Sequence, residues 1–235
     1  MRTNLVILSL LALAAGGKDK PAAKQEPPAN AGSGAGSGSG PKAAPDLQLP
    51  HADGTPPKKT TAALTKTDFE RLAKLEYPGF IADVRTVGDK VFHVRQKTKD
   101  HPRLWAEVLI KPCFECLPLE LDKWKAKEEE IKQVNLEGLK DVPGVEWEMG
   151  ETALNGQKII YTYQVGAGNQ PGEGGGQYTF GDAYFAYFND GVNEIRVTAS
   201  YKDDPVTVES MKQLAPKEDL RALALAFLDV YTHEW

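Results

Sequence analysis

Serine all but disappears beyond residue 60 of this 235-residue chain: only Ser200 and Ser210 remain, and neither sits in a Gly-x-Ser-x-Gly turn. Without that strained elbow between strand and helix the sequence offers no serine-hydrolase nucleophile, and Ser200 reads as a polar residue within a strand. Histidine is as scarce. His51, His93, His101 and His233 show no His-x-x-x-His or paired-glutamate spacing, so no metal site is expected. Basic residues are not clustered: the net charge is −5 and both signs are interspersed. A nucleic-acid groove needs a lysine/arginine stripe, so that partner is excluded. Cysteine occurs only twice, as Cys113 and Cys116.

One apolar run opens the chain. In "MRTNLVILSLLALAAG" (1–16), Arg2 precedes a stretch from Leu5 to Leu13 broken only by Ser9, and Ala14, Ala15 and Gly16 follow. That order predicts a secretory signal peptide, and the run is too short to span a bilayer. Running straight into polar Lys, Pro, Ala and Gly, it resembles a bacterial lipoprotein leader. The cysteine that accepts the lipid in such leaders is replaced here by Gly17. Either the protein is released soluble, or cleavage follows an Ala-x-Ala-like site at Ala12 and Ala14. Export to the periplasm or the membrane surface is the expectation. Residues 17–60 read as a disordered linker around "AGSGAGSGSG" (31–40), with too little apolar surface to offset ordering entropy. As a flexible tether its r.m.s. span is roughly 35–40 Å, with a membrane anchor at the N-terminus as its natural purpose.

Residues 61–235 are one domain's worth of chain. Thr65 as N-cap, Asp68 at N3, and Leu64 and Phe69 at staple positions predict a first helix, ended by Tyr77-Pro78-Gly79. Residues 80–97 read as a hairpin turning at Gly88-Asp89, and 103–110 as a third strand. A second helix is expected over 118–137, with Pro118 in its first turn and Leu117, Leu121, Trp124 and Ile131 on one stripe. Lys123, Lys125, Lys127 and Glu128–Glu130 then form its solvated face. Strands 145–150 and 157–165 flank "ETALNG", and strands 178–188 and 193–201 flank Asn189-Asp190-Gly191. In 193–201, Ile195, Val197, Ala199 and Tyr201 point one way, and Glu194, Arg196, Thr198 and Ser200 the other, which predicts one buried face. A helical turn near 205–213 precedes a helix over 216–231 with Leu220, Leu223, Ala224, Phe227 and Tyr231 on its apolar stripe. Helices that separate groups of hairpins predict an α+β fold with a mainly antiparallel sheet.

"GAGNQPGEGGG" (166–176) lacks the Gly-Lys-Ser/Thr and the strand-to-helix context of a phosphate loop. It reads as a mobile hairpin loop able to close over a partner, and no cofactor is expected. Tyr178, Phe180, Tyr184, Phe185, Tyr187 and Phe188 cover both faces of one strand, as in a central strand buried on each side; the alternative is an exposed aromatic patch.

Cys113-Phe114-Glu115-Cys116 follows a strand and precedes a helix, as thioredoxin-like enzymes place their nucleophile. In that reading Cys113 attacks, Cys116 resolves, and Val142-Pro143 supplies the facing proline. The strand order before and after the motif differs from theirs, and Glu115 puts a carboxylate beside the sulfurs, which raises a thiol pKa. In an exported chain the pair is expected as a structural disulfide worth about 2 kcal/mol. A redox pair and a free or intermolecular pair stay open.

The stretches "ALNGQKIIYTYQV", "AYFAYFNDGVNEIRVTASY" and "DLRALALAFLDVY" give residues 62–235 an order that resembles the PsbP-like α/β/α sandwich, which includes DcrB-type bacterial lipoproteins. The resemblance implies an accessory or binding module, with no catalytic residues to carry over and with partners that vary. The expected function is therefore a tethered, non-enzymatic module of the cell envelope that binds an envelope protein or a small ligand. The alternative is a periplasmic thiol–disulfide oxidoreductase; a third idea is a ligand carrier gated by 166–176.

Overall fold

Thr65 closes a capping box: the Asp68 amide donates to its hydroxyl at 3.4 Å, and its own amide donates to the Asp68 carboxylate at 2.9 Å. This starts α1 (Lys66–Leu72), and the staple residues Leu64 and Phe69 are both buried. The helix stops well short of Tyr77 because its last turn tightens, with Lys74 N donating to Arg71 O and Leu75 N to Leu72 O, each at 3.1 Å. The computed structural model describes residues 54–99, 103–136, 145–166, 170–171, 177–178, 182–202 and 208–235. The leader, the linker up to residue 53, His51, His101, Val142-Pro143, Phe180 and most of the 166–176 stretch lie outside the described residues.

Three strands follow: β1 (Phe80–Val87), β2 (Phe92–Thr98) and β3 (Leu104–Pro112). The expected second helix is two pieces, α2 (Leu121–Lys125) and α3 (Glu128–Leu136). Pro118 lies before the helix. Its carbonyl accepts from Glu120 N at 2.8 Å and from Trp124 Nε1 at 2.9 Å, which fixes a turn there. The break comes where Lys127 N reaches back only three residues, to Trp124 O.

Next are β4 (Glu146–Leu154) and β5 (Gln157–Val165). "ETAL" belongs to the strand, so the turn is Asn155-Gly156 alone. Both residues have positive φ, 48° and 77°, the geometry of the tight hairpin that Asn-Gly favours. A short pair, β6 (Gln170–Pro171) with β7 (Gln177–Tyr178), precedes β8 (Asp182–Asn189) and β9 (Asn193–Tyr201). The chain closes with α4 (Val208–Leu214) and α5 (Lys217–Glu234).

Seven strands form one antiparallel sheet in the order β1-β2-β3-β9-β8-β5-β4. The last hairpin thus lies between the N-terminal three strands and the β4–β5 pair, and β9 pairs with both β3 and β8. On one face lie α1 and α5. Leu220, Leu223, Ala224, Phe227, Leu228 and Tyr231 of α5 are all almost fully buried, at roughly 1.5–3 kcal/mol for each large side chain. Phe92 meets both Phe69 of α1 and Tyr231 of α5. The other face carries α2 and α3: Trp124 packs on Tyr187, and Asn135 donates to Thr162 Oγ1 and Tyr187 Oη. The result is an α+β fold of three layers. β8 is buried on both sides, with Tyr184 and Phe188 beneath α5 and Phe185 facing the other way. Thr198 and Ser200, expected on an exposed face, are also buried: in register, Thr198 lies between Glu107 of β3 and Phe185 of β8, and Ser200 between Trp105 of β3 and Ala183 of β8.

Residues 54–60, which composition assigns to the linker, lie along one end of this sheet. Thr55 O accepts from Asn155 Nδ2 and Lys58 N donates to Thr232 O, while Lys58 O accepts from Trp235 Nε1. Thr60 N donates to Asp190 Oδ2 at 2.6 Å and Leu64 N to Asn193 Oδ1 at 3.0 Å. This strap joins two hairpin turns to the C-terminus.

Candidate functional site

Cys113 begins where β3 leaves the sheet. Its amide donates to Val192 O in the β8–β9 turn at 2.9 Å, a turn closed by Asp190 Oδ1 accepting from Val192 N and Asn193 N. These bonds and Thr60, together outweighing burial, hold the Asp190 carboxyl below the usual carboxylate range. Cys113 and Cys116 are joined as a disulfide, with Cα atoms 5.1 Å apart. The ring they close carries Phe114 outward, 91% exposed. Burying such a side chain against a partner would be worth roughly 1.5–3 kcal/mol. The helix that would activate a thiol begins only at Leu121, so no helix N-terminus sits at the sulfurs. β3 and β4, which a thioredoxin-like order would place side by side and parallel, are separated by three strands, and no cis peptide occurs among the described residues.

Beyond the disulfide the chain turns back over the sheet. Asn189 Nδ2 donates to Leu117 O at 3.0 Å, and Trp124 is pinned by its own bond to Pro118. A cleft of about 170 Å³ opens there, walled by Leu117 and Trp124 and floored by Leu109, Tyr187 and Arg196. Lys111 at its rim pairs with Glu194 at 2.8 Å.

The cleft continues onto the half of this face that no helix covers among the described residues. Asp83, the extra residue of a bulge in β1, takes Arg95 in a two-point bond at 2.9 and 3.0 Å and Lys97 at 2.6 Å. Glu107 lies between His93 Nε2 at 3.9 Å and Arg95 Nη1 at 3.8 Å. Burial alone would raise the Glu107 carboxyl, but the nearby His93, Arg95 and Arg196 outweigh it and hold the group low. Charge on this face is largely paired.

Of the residues singled out from sequence, Cys113 and Cys116 come together, and His93 takes part in the charged face. The described residues hold no convergence of three or more His, Cys, Asp or Glu side chains. His233 is buried, with Nδ1 2.8 Å from Asp229 O. Sequence reasoning missed Arg196, visible there only as one polar position in an alternating strand. It also missed Asp182, whose carboxylate is buried with neither oxygen at hydrogen-bonding geometry to a donor. No family model matches this chain, and no curated protein matches it.

Replacing both cysteines by serine is expected to cost about 2 kcal/mol of stability, read as a lower urea midpoint with an unchanged far-UV spectrum. A loss of the sheet signal would instead make the ring essential to folding.

Proposed function

We propose that this chain is an exported, tethered accessory module of the cell envelope, which binds a partner protein through its disulfide corner and catalyses no reaction itself. The single observation behind this reading is Phe114, held 91% exposed on a covalent ring at the same sheet end as the strap. A pre-ordered apolar anchor loses little conformational freedom on binding, and aromatic anchors dominate interface energetics. The leader, the Gly/Ser-rich tether and the three-layer fold support it too, as does the resemblance to the PsbP-like sandwich, whose members serve as accessory modules.

The test is made in the native host. The protein recovered from the envelope should have an intact mass that lacks residues 1–16 and retains the disulfide. A photo-crosslinking residue at Phe114 should give one discrete adduct, absent when the same residue replaces exposed Val134. In an insulin-reduction assay, turnover should not exceed that of the C113S variant. Recovery from the cytoplasm with the leader intact, or adducts indistinguishable between the two positions, would overturn the reading.

A further inference from the structure

We propose that the cleft between α2 and the open half of the sheet binds a small carboxylate with an apolar body, held by the guanidinium of Arg196. This goes beyond the partner at the corner and stands whether or not a protein docks there. Arg196 lies on β9, in register between Leu109 of β3 and Tyr187 of β8. Its Nε is buried and makes no hydrogen bond. A buried donor left unpaired is costly, and structures usually satisfy it. The neighbouring carboxylates are engaged elsewhere: Glu194 with Lys111, and Glu107 with His93 and Arg95. Among the described residues none lies within ion-pair distance of Arg196.

A planar carboxylate is the acceptor that matches the guanidinium fork with two parallel bonds. Apart from the Lys111–Glu194 ion pair and Asn189, whose amide is bonded to Leu117 O, the rest of the cleft is apolar or aromatic. Trp124 and Tyr187 meet at 4.8 Å with their planes tilted by 48°, and Leu109 and Leu117 face them. Such walls take a hydrocarbon chain or a single ring. The volume of about 170 Å³ lies below the roughly 300–1,000 Å³ of pockets for drug-sized molecules, which limits the ligand to a small one. With Lys111 neutralised by Glu194, one positive charge remains to be matched. A monoanion fits, and a phosphate dianion would leave the aromatic wall bare.

The experiment titrates the mature chain with 3-phenylpropionate, 3-phenylpropionamide and inorganic phosphate, following the Arg196 side-chain and Trp124 indole N–H resonances. Phenylpropionate should give saturable shifts at both, with the amide and phosphate each at least about tenfold weaker. R196Q should lose the acid's advantage over the amide while keeping its dispersed spectrum. R196K, which retains the charge without the fork, should bind more weakly than the native chain. Equal binding of acid and amide, phosphate as strong as phenylpropionate, or unchanged affinity in R196Q and R196K would overturn the proposal. Leader cleavage and the Phe114 adducts are untouched by either result, so the two readings fail separately.

Discussion

Gly150→Ala is expected to lower the unfolding free energy by about 1–3 kcal/mol, the range of overpacked sites. A methyl group there would lie 2.5 Å from Tyr161 Cζ and Oη and 2.7 Å from Cε1. The ring is held in place by its neighbours. It stacks on Tyr184 with centroids 5.0 Å apart and planes 16° apart, and its hydroxyl donates to Glu148 at 2.5 Å. Lys217 Nζ sits 5.0 Å from the ring centroid and bonds to Glu148 at 2.6 Å. Glycine in a strand interior is weak by itself, and here its missing Cβ is the space an aromatic cross-strand neighbour fills. A double-mutant cycle with Tyr161→Leu checks the cause: once the ring is gone, G150A should be close to neutral. A full loss in the Tyr161→Leu background would refute the clash.

The second large effect is expected at Asp182. Burial pushes its carboxyl up to about 8 from 3.8, and neighbouring Tyr163, which favours the charged form, offsets only part of that. A carboxyl whose native pKa exceeds its unfolded one binds its proton more tightly when folded. The contribution of this group to stability is therefore greatest below about 4, declines as pH rises toward about 8, and is flat above. Asp182→Asn removes the ionisation and is expected to stabilise the protein at pH 7 by on the order of 4 kcal/mol, with little effect at pH 4. Urea midpoints for both chains across pH 4–9 decide it. Parallel curves would mean that Asp182 stays charged in the fold.

Local rules carried most of the architecture. Thr65 with Asp68, Asn155-Gly156 and the α5 stripe are each settled by neighbours in sequence, and each forms. The α2–α3 break was hidden because a tertiary need, seating Trp124 on Tyr187 and Asn135 on Thr162, competes with helix continuity. Glu120, with no side-chain cap bond, gave no sign that the helix starts after Pro118. The cysteine pair was legible because three-residue spacing brings two sulfurs within reach. The cleft was not. Leu109, Leu117, Tyr187 and Arg196 come from three strands and a loop, and nothing local tells an arginine lining a cavity from one in open water. Asp182 was invisible for the same reason: its burial comes from the sheet's packing.

The strap gives the molecule a defined mechanical grip. Tension entering along the N-terminal segment meets Thr55, Lys58, Thr60 and Leu64 in turn, and these are bonded to Asn155, Thr232, Asp190 and Asn193. The load passes into the middle strand and the long closing helix before it reaches the short α1. Shear spread over several bonds there resists pulling better than peeling a terminal helix from the rim would.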